Sequence, residues 1–156
     1  MTADEQPIRR AVRVHAPPER AFSVFADGLA TWWPREYSWA GAVVDTIAIE
    51  PREGGRCFER GPYGFSCDWG RVLIWEPPQR LAFTWQITPE RLPQPDPAKA
   101  SEVDVSFSPE GSGTDVSLEH RGFERHGEGS AEYRIGMDMP EGWTLPLERY
   151  RAAVAG

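Results

Sequence analysis

A chain of 156 residues can bury one substantial core without disulfide or metal staples, because a domain of that size removes roughly 70% of its unfolded surface from water. Its 24 acidic side chains against 17 basic ones give a formal charge of −7, which works against nucleic acid and anionic lipid as partners. The first residues, MTADEQPIRRAVRV, hold no apolar signal core and no later stretch is long enough to span a bilayer, so a cytoplasmic protein that neither crosses nor coats a membrane is expected.

Ile8, Val12 and Val14 alternate with Arg9, Arg13 and His15, the period of a half-buried strand. Pro17-Pro18 ends it, and Pro18 suits the first turn of a short helix carrying Ala21, Phe22, Val24 and Phe25. A further turn over Leu29 to Trp33 is closed by Pro34, which leaves Trp32, Trp33, Tyr37 and Trp39 clustered close to loop sequence.

From Val43 the sequence breaks into short strand-like runs separated by turn signals, the spacing of an antiparallel meander. The expected strands are Val43 to Glu50, Arg56 to Arg60 and Cys67 to Glu76, with turns at 51–55 and 61–64. Cys57 and Cys67 lack CxxC spacing and have no histidine or cysteine neighbours to complete a metal site, so free thiols are expected. A cross-strand disulfide would require their two strands to pair. Leu81, Phe83, Trp85 and Ile87 form one continuous apolar face. The segment 89–100 holds four prolines and no periodicity, a long connection of the kind that serves as a lid or stays irregular. Val103, Val105 and Phe107, a glycine turn at 111–113, and Val116 and Leu118 then read as a hairpin.

After Gly129 the period becomes helical. Trp143, Leu147, Tyr150 and Val154 form one stripe, with Asp138 and Glu141 as a capping box and Pro140 in the first turn. Pro146 requires either a bend or a regular helix beginning only near Thr144. The terminal helix is the one substantial element available to cover the sheet. Residues 1–156 therefore read as a single α+β domain, a curved antiparallel sheet of about six to seven strands wrapped around a long C-terminal helix, with short helices after the first strand.

Six strings occur in order along nearly the whole chain: APPERAF at 16–22, TWWP at 31–34, IEPREGGRCFER at 49–60, WGRVLIWEPPQRLAFTW at 69–85, GTDVSLEHRGF at 113–123, and GW at 142–143. Together they resemble the superfamily of START and birch-pollen-allergen domains, and more narrowly its branch named for activators of heat-shock protein 90 ATPase. The resemblance implies a helix-grip fold with a cavity between sheet and terminal helix, used across the superfamily for apolar molecules. It implies no single reaction.

The candidate pocket residues are Trp33, Trp39, Phe65, Trp69, Trp85, His120, Trp143 and Leu147. Aromatic rings offer contact area with a polar N–H handle, and His120 continues the inward parity of Val116 and Leu118. Phe83 and Trp75 read as core packing, and His126 as solvated. Glu59, Glu119 and Tyr63 are the polar groups considered for acid, base or hydrogen-bonding roles. By parity Glu119 faces away from the core, and Glu59 has no assignable face. No catalytic residue, metal or cofactor is assigned. Two functions are expected as alternatives: binding of a small hydrophobic or aromatic ligand by a carrier, sensor or cyclase-like domain, or a protein-interaction module resembling the co-chaperone, with a chaperone ATPase as partner. Monomer and homodimer are both open.

Overall fold

The computed structural model describes residues 2–156. In chain order the regular elements are β1 (Ile8–Val14), α1 (Pro18–Ala26), α2 (Leu29–Trp32), β2 (Thr46–Ile49), β3 (Arg56–Arg60), β4 (Ser66–Glu76), β5 (Arg80–Trp85), β6 (Ser101–Glu110), β7 (Gly113–Arg121), α3 (Ser130–Met137) and α4 (Leu145–Ala155). The strands form one seven-stranded sheet in the order β1-β7-β6-β5-β4-β3-β2. Every pairing is antiparallel, and β1 closes on β7 from Ile8 opposite His120 to Val14 opposite Thr114. Register shifts between Cys57 and Phe58 and between Val72 and Ile74 bend the β3–β5 half, as an extra residue in one strand does.

The alternation seen in the sequence sorts the two faces. Val103, Val105, Phe107, Val116 and Leu118 are buried on the concave side. The convex side carries charge. Arg80 and Arg121 both reach the Asp104 carboxylate, at 2.6 and 3.2 Å, and Arg9 pairs with Glu119 at 3.1 Å. The Arg80 hydrogen bond is the main reason that the Asp104 carboxyl lies below the usual carboxylate range.

Pro18 opens α1, whose Phe22 and Phe25 are buried. Phe22 meets Trp75 edge-on at 5.1 Å and Phe107 at 5.1 Å. α4 buries Leu147, Tyr150 and Val154, and the Tyr150 hydroxyl donates to the Ala21 carbonyl at 2.7 Å, which ties the last helix to the first.

The structure corrects the boundaries at two places. The expected strand from Val43 begins at Thr46, because Gly41 takes a left-handed φ of +58° and 41–43 form a 3-10 turn. Helical backbone runs from Pro140 to Ala155 as expected, but its first turn, Pro140–Thr144, is π-helical before the 11-residue α4, and the separate α3 precedes it. Pro146 falls in the first turn of α4, where a missing N–H costs nothing, so no bend is needed. Asp138 makes no capping box; its carboxylate takes Arg10 at 2.8 Å and Arg134 at 2.9 Å. Cys57 stands opposite Gly70 and Cys67 opposite Glu59, and both thiols are free. Among the described residues, no helix is long and apolar enough to cross a membrane.

Candidate ligand-binding cavity

A cavity of about 410 Å³ opens between the sheet and the helices. The sheet supplies Ile47 and Ile49 from β2, Glu59 from β3, Trp69 from β4, and Phe83 and Trp85 from β5. Opposite stand Phe25, Leu29, Trp32 and Trp33. Tyr37, Trp39, Arg91 and Met137 surround the mouth, and Trp143 enters from the π-type turn. Six of the chain's seven tryptophans line this one space, with Trp75 the exception.

The rings brace one another edge to face. Trp33 lies 6.1 Å from Trp85 and 5.9 Å from Trp143, and Trp69 lies 6.0 Å from Trp85. Four indole N–H groups are spent on the protein: Trp32 on the Val24 carbonyl, Trp39 on the Arg91 carbonyl, Trp85 on the Tyr133 hydroxyl and Trp143 on His120 Nδ1. Among the described residues, the N–H groups of Trp33 and Trp69 donate to no protein atom.

Polar groups divide by depth. Glu59 is only 2% exposed, and its two carboxylate oxygens accept the backbone N–H groups of Trp39 at 3.0 Å and Ala40 at 2.8 Å. Arg91 stands at the mouth with a left-handed φ of 67°, at the tip of a tight turn in which Arg91 N–H donates to the Thr88 carbonyl. Its guanidinium lies over the Tyr133 ring at 5.2 Å and has no carboxylate partner among the described residues. The expected long loop after β5 is thus tied down. Gln94 N–H returns to the Gln86 carbonyl, and Trp39 holds the Arg91 carbonyl at 2.7 Å.

Trp33, Trp39, Trp69, Trp85 and Trp143 come together in the cavity wall, whereas three other expected residues lie elsewhere. Phe65 is 39% exposed beyond the Gly61–Gly64 turn, where the left-handed backbone of Tyr63 and Gly64 turns the chain outward. Leu147 is buried in the core, one layer behind. His120 is fully buried behind Trp143, with Nδ1 accepting from the indole at 3.0 Å and Nε2 lying 2.7 Å from Ser101 Oγ. Burial, and then the neighbouring His126, drive its pKa well below the ordinary value. Nor is His126 solvated. Its Nε2 lies 2.7 Å from Ser101 Oγ, its Nδ1 is buried without a partner, and burial lowers its pKa to about 4. Tyr63 is fully exposed at the turn, away from any acid or base role in the cavity. Phe83, expected as core, is both buried and cavity-lining.

Of the polar residues that line the cavity, Glu59 is considered from the sequence without an assigned face, and Arg91 carries no sequence signal. The face of Glu59 depends on how β3 packs against the bulge at Trp69 in β4, and Arg91 is placed by the short hairpin after β5. The two-residue spacing of Glu59 from Cys57 puts both on one face, but only the fold shows that this face is buried.

A seven-stranded antiparallel sheet that holds an aromatic cavity against a C-terminal helix is the helix-grip architecture. The family model described as activator of Hsp90 ATPase homolog 1-like protein matches residues 15–155, and the chain belongs to that family. Among solved structures it is similar to the anthrahydroquino-γ-pyrone synthase Txn09, with 37% identity, 98% of this chain and 99% of that one covered, and a TM-score of 0.68. It is also similar to the self-sacrificing resistance protein CalC from Micromonospora echinospora, at 26% identity, 97% and 95% coverage and a TM-score of 0.67. Protein MLL2253 from Mesorhizobium loti shares the fold at 21% identity, 96% and 97% coverage and a TM-score of 0.67. No curated protein matches the chain.

Proposed function

We propose that this protein binds a flat, apolar, fused-ring aromatic molecule in the tryptophan-lined cavity, as a single helix-grip domain. The observation that carries the reading is the convergence of six tryptophans on a space of about 410 Å³, within the size range of small-molecule sites. Offset and edge-on ring contacts reward a flat aromatic guest beyond its buried area. The similarity to a synthase of an anthrahydroquinone-fused pyrone, over nearly the full length of both chains, supports the same ligand class here. If ring closure follows binding, the walls contribute by holding a precursor in a folded shape away from water.

Titration calorimetry with 9,10-anthraquinone-2-sulfonate, a soluble three-ring probe, tests the reading. One saturable site per chain is expected, with a negative heat-capacity change from apolar burial. The absence of saturable binding counts against it.

The co-chaperone alternative has the family description in its favour. Stimulation of a cognate heat-shock protein 90 ATPase by the purified protein would support that reading, and an unchanged ATPase rate would remove it.

A further inference from the structure

Apart from the unspent indole N–H group of Trp69, the sheet wall of the cavity is apolar except at one carboxylate. A carboxylate buried to 2% exposure among Ile47, Ile49, Trp69 and Phe83 is costly unless it is hydrogen-bonded. The Trp39 and Ala40 N–H groups meet that need only in part, because each Glu59 oxygen receives one protein donor where a carboxylate has about four lone-pair sites in all. The Trp33 and Trp69 indoles aside, the other polar groups around the space are engaged or outlying. Glu36 pairs with Arg149 at 2.9 Å, Tyr37 Oη donates to the Glu141 carbonyl, and Arg91 lies at the mouth.

We propose that Glu59 is the specificity-determining acceptor of the cavity: it takes a hydrogen bond from a ring hydroxyl at the buried end of a fused-ring ligand, and so selects hydroxylated members of that class. The inference rests on the binding reading above and narrows it. A purely loop-holding glutamate would satisfy Trp39 and Ala40 from outside the cavity, but this one lines the space. The Trp39 backbone that Glu59 holds also carries the indole closing on the Arg91 carbonyl, so the acceptor and the mouth share one segment. An apolar site built around a hydroxyl rejects the analogue that leaves its acceptor unpaired. It also keeps that hydroxyl protonated, since a phenolate beside Glu59 would set like charges together in a dry pocket.

Three probes separate the possibilities: anthraquinone, 2-methoxyanthraquinone and 2-hydroxyanthraquinone, each titrated into the wild-type protein at a pH below the ionisation of the free phenol. The proposal expects the hydroxyl compound to bind about tenfold or more tightly than the other two. At a pH one unit above the ionisation of the free phenol, its visible absorption in the complex should still be that of the neutral form. Glu59→Gln should narrow the preference to within about twofold and let the bound spectrum shift toward the phenolate. Equal wild-type affinities overturn the proposal and leave the cavity reading standing, as does a bound phenolate spectrum or a neutral one that Glu59→Gln leaves unchanged. Failure of all three probes to bind overturns both. The wild-type comparison needs no variant, so a poorly folding Glu59→Gln protein leaves the test intact.

Discussion

Behind the cavity wall, Trp143, His120, Ser101 and His126 form a hydrogen-bonded chain whose protons can be assigned. The Ser101 backbone N–H points at His126 Nε2 at 3.3 Å, so that nitrogen is an acceptor and the ring is neutral with its proton on Nδ1. Ser101 Oγ then donates to the same Nε2 and accepts from His120 Nε2–H, while His120 Nδ1 accepts from the Trp143 indole. Protonating either ring would turn an acceptor toward a donor. The folded state therefore holds both histidines neutral, and the His126 pKa falls from 6.5 to about 4. The unfolded chain takes up protons near pH 6.5 and the folded one does not, so the contribution of these rings to stability is fully present above about pH 6.5 and is lost as pH falls toward 4. Urea midpoints measured between pH 7 and pH 4.5 should decline, and His126→Gln should flatten that decline; a slope unchanged by the substitution would contradict the assignment. Trp143→Phe removes the donor to a fully buried Nδ1 and should cost about 1–3 kcal/mol in the same assay at pH 7.

At the scale of elements, the turn between α3 and α4 decides whether Trp143 reaches the cavity at all. Gly142 sits so close to the end of α3 that a Cβ there would lie 1.9 Å from the Met137 carbonyl oxygen. Gly142→Ala should therefore displace the turn and cost about 3 kcal/mol, measurable as a lowered denaturation midpoint together with an altered tryptophan spectrum. Here the sequence was only partly legible. The stripe of Trp143, Leu147, Tyr150 and Val154 was readable because helical period survives at both ends of the turn, and all four are buried. The turn itself was not, because its cause is a backbone approach that leaves no periodic mark. Proline position was equally ambiguous: Pro146 fits a first turn or a kink, and only the π-type turn at Pro140–Thr144, after which Pro146 falls in the first turn of α4, decides between them.

Across the whole molecule, the sheet was legible in outline and the site in part, for one physical reason. Strand parity shows the inward face of Trp85, but depth along a curved sheet depends on bulges and on neighbouring strands, so His120, inward by parity, lies behind the cavity, and Phe65, outside any strand, has no parity to place it. The polar features, Glu59 and Arg91, needed hydrogen bonds between residues distant in the sequence to place them. A guest held by this cavity stabilises only the folded state, so the anthraquinone sulfonate probe at one hundred times its dissociation constant should add about 2.7 kcal/mol and raise Tm by about 5–10 °C. Thermal unfolding with and without the probe checks this, and an unchanged Tm would count against binding.

The most direct measurement is the indole N–H region of a nitrogen-15 correlation spectrum, where the seven tryptophans give separate signals. With saturating probe, the signals of Trp33, Trp69, Trp85 and Trp143 should move or broaden, while that of Trp75, outside the cavity, stays nearly in place. Movement of Trp75 with the cavity tryptophans unmoved would contradict the account.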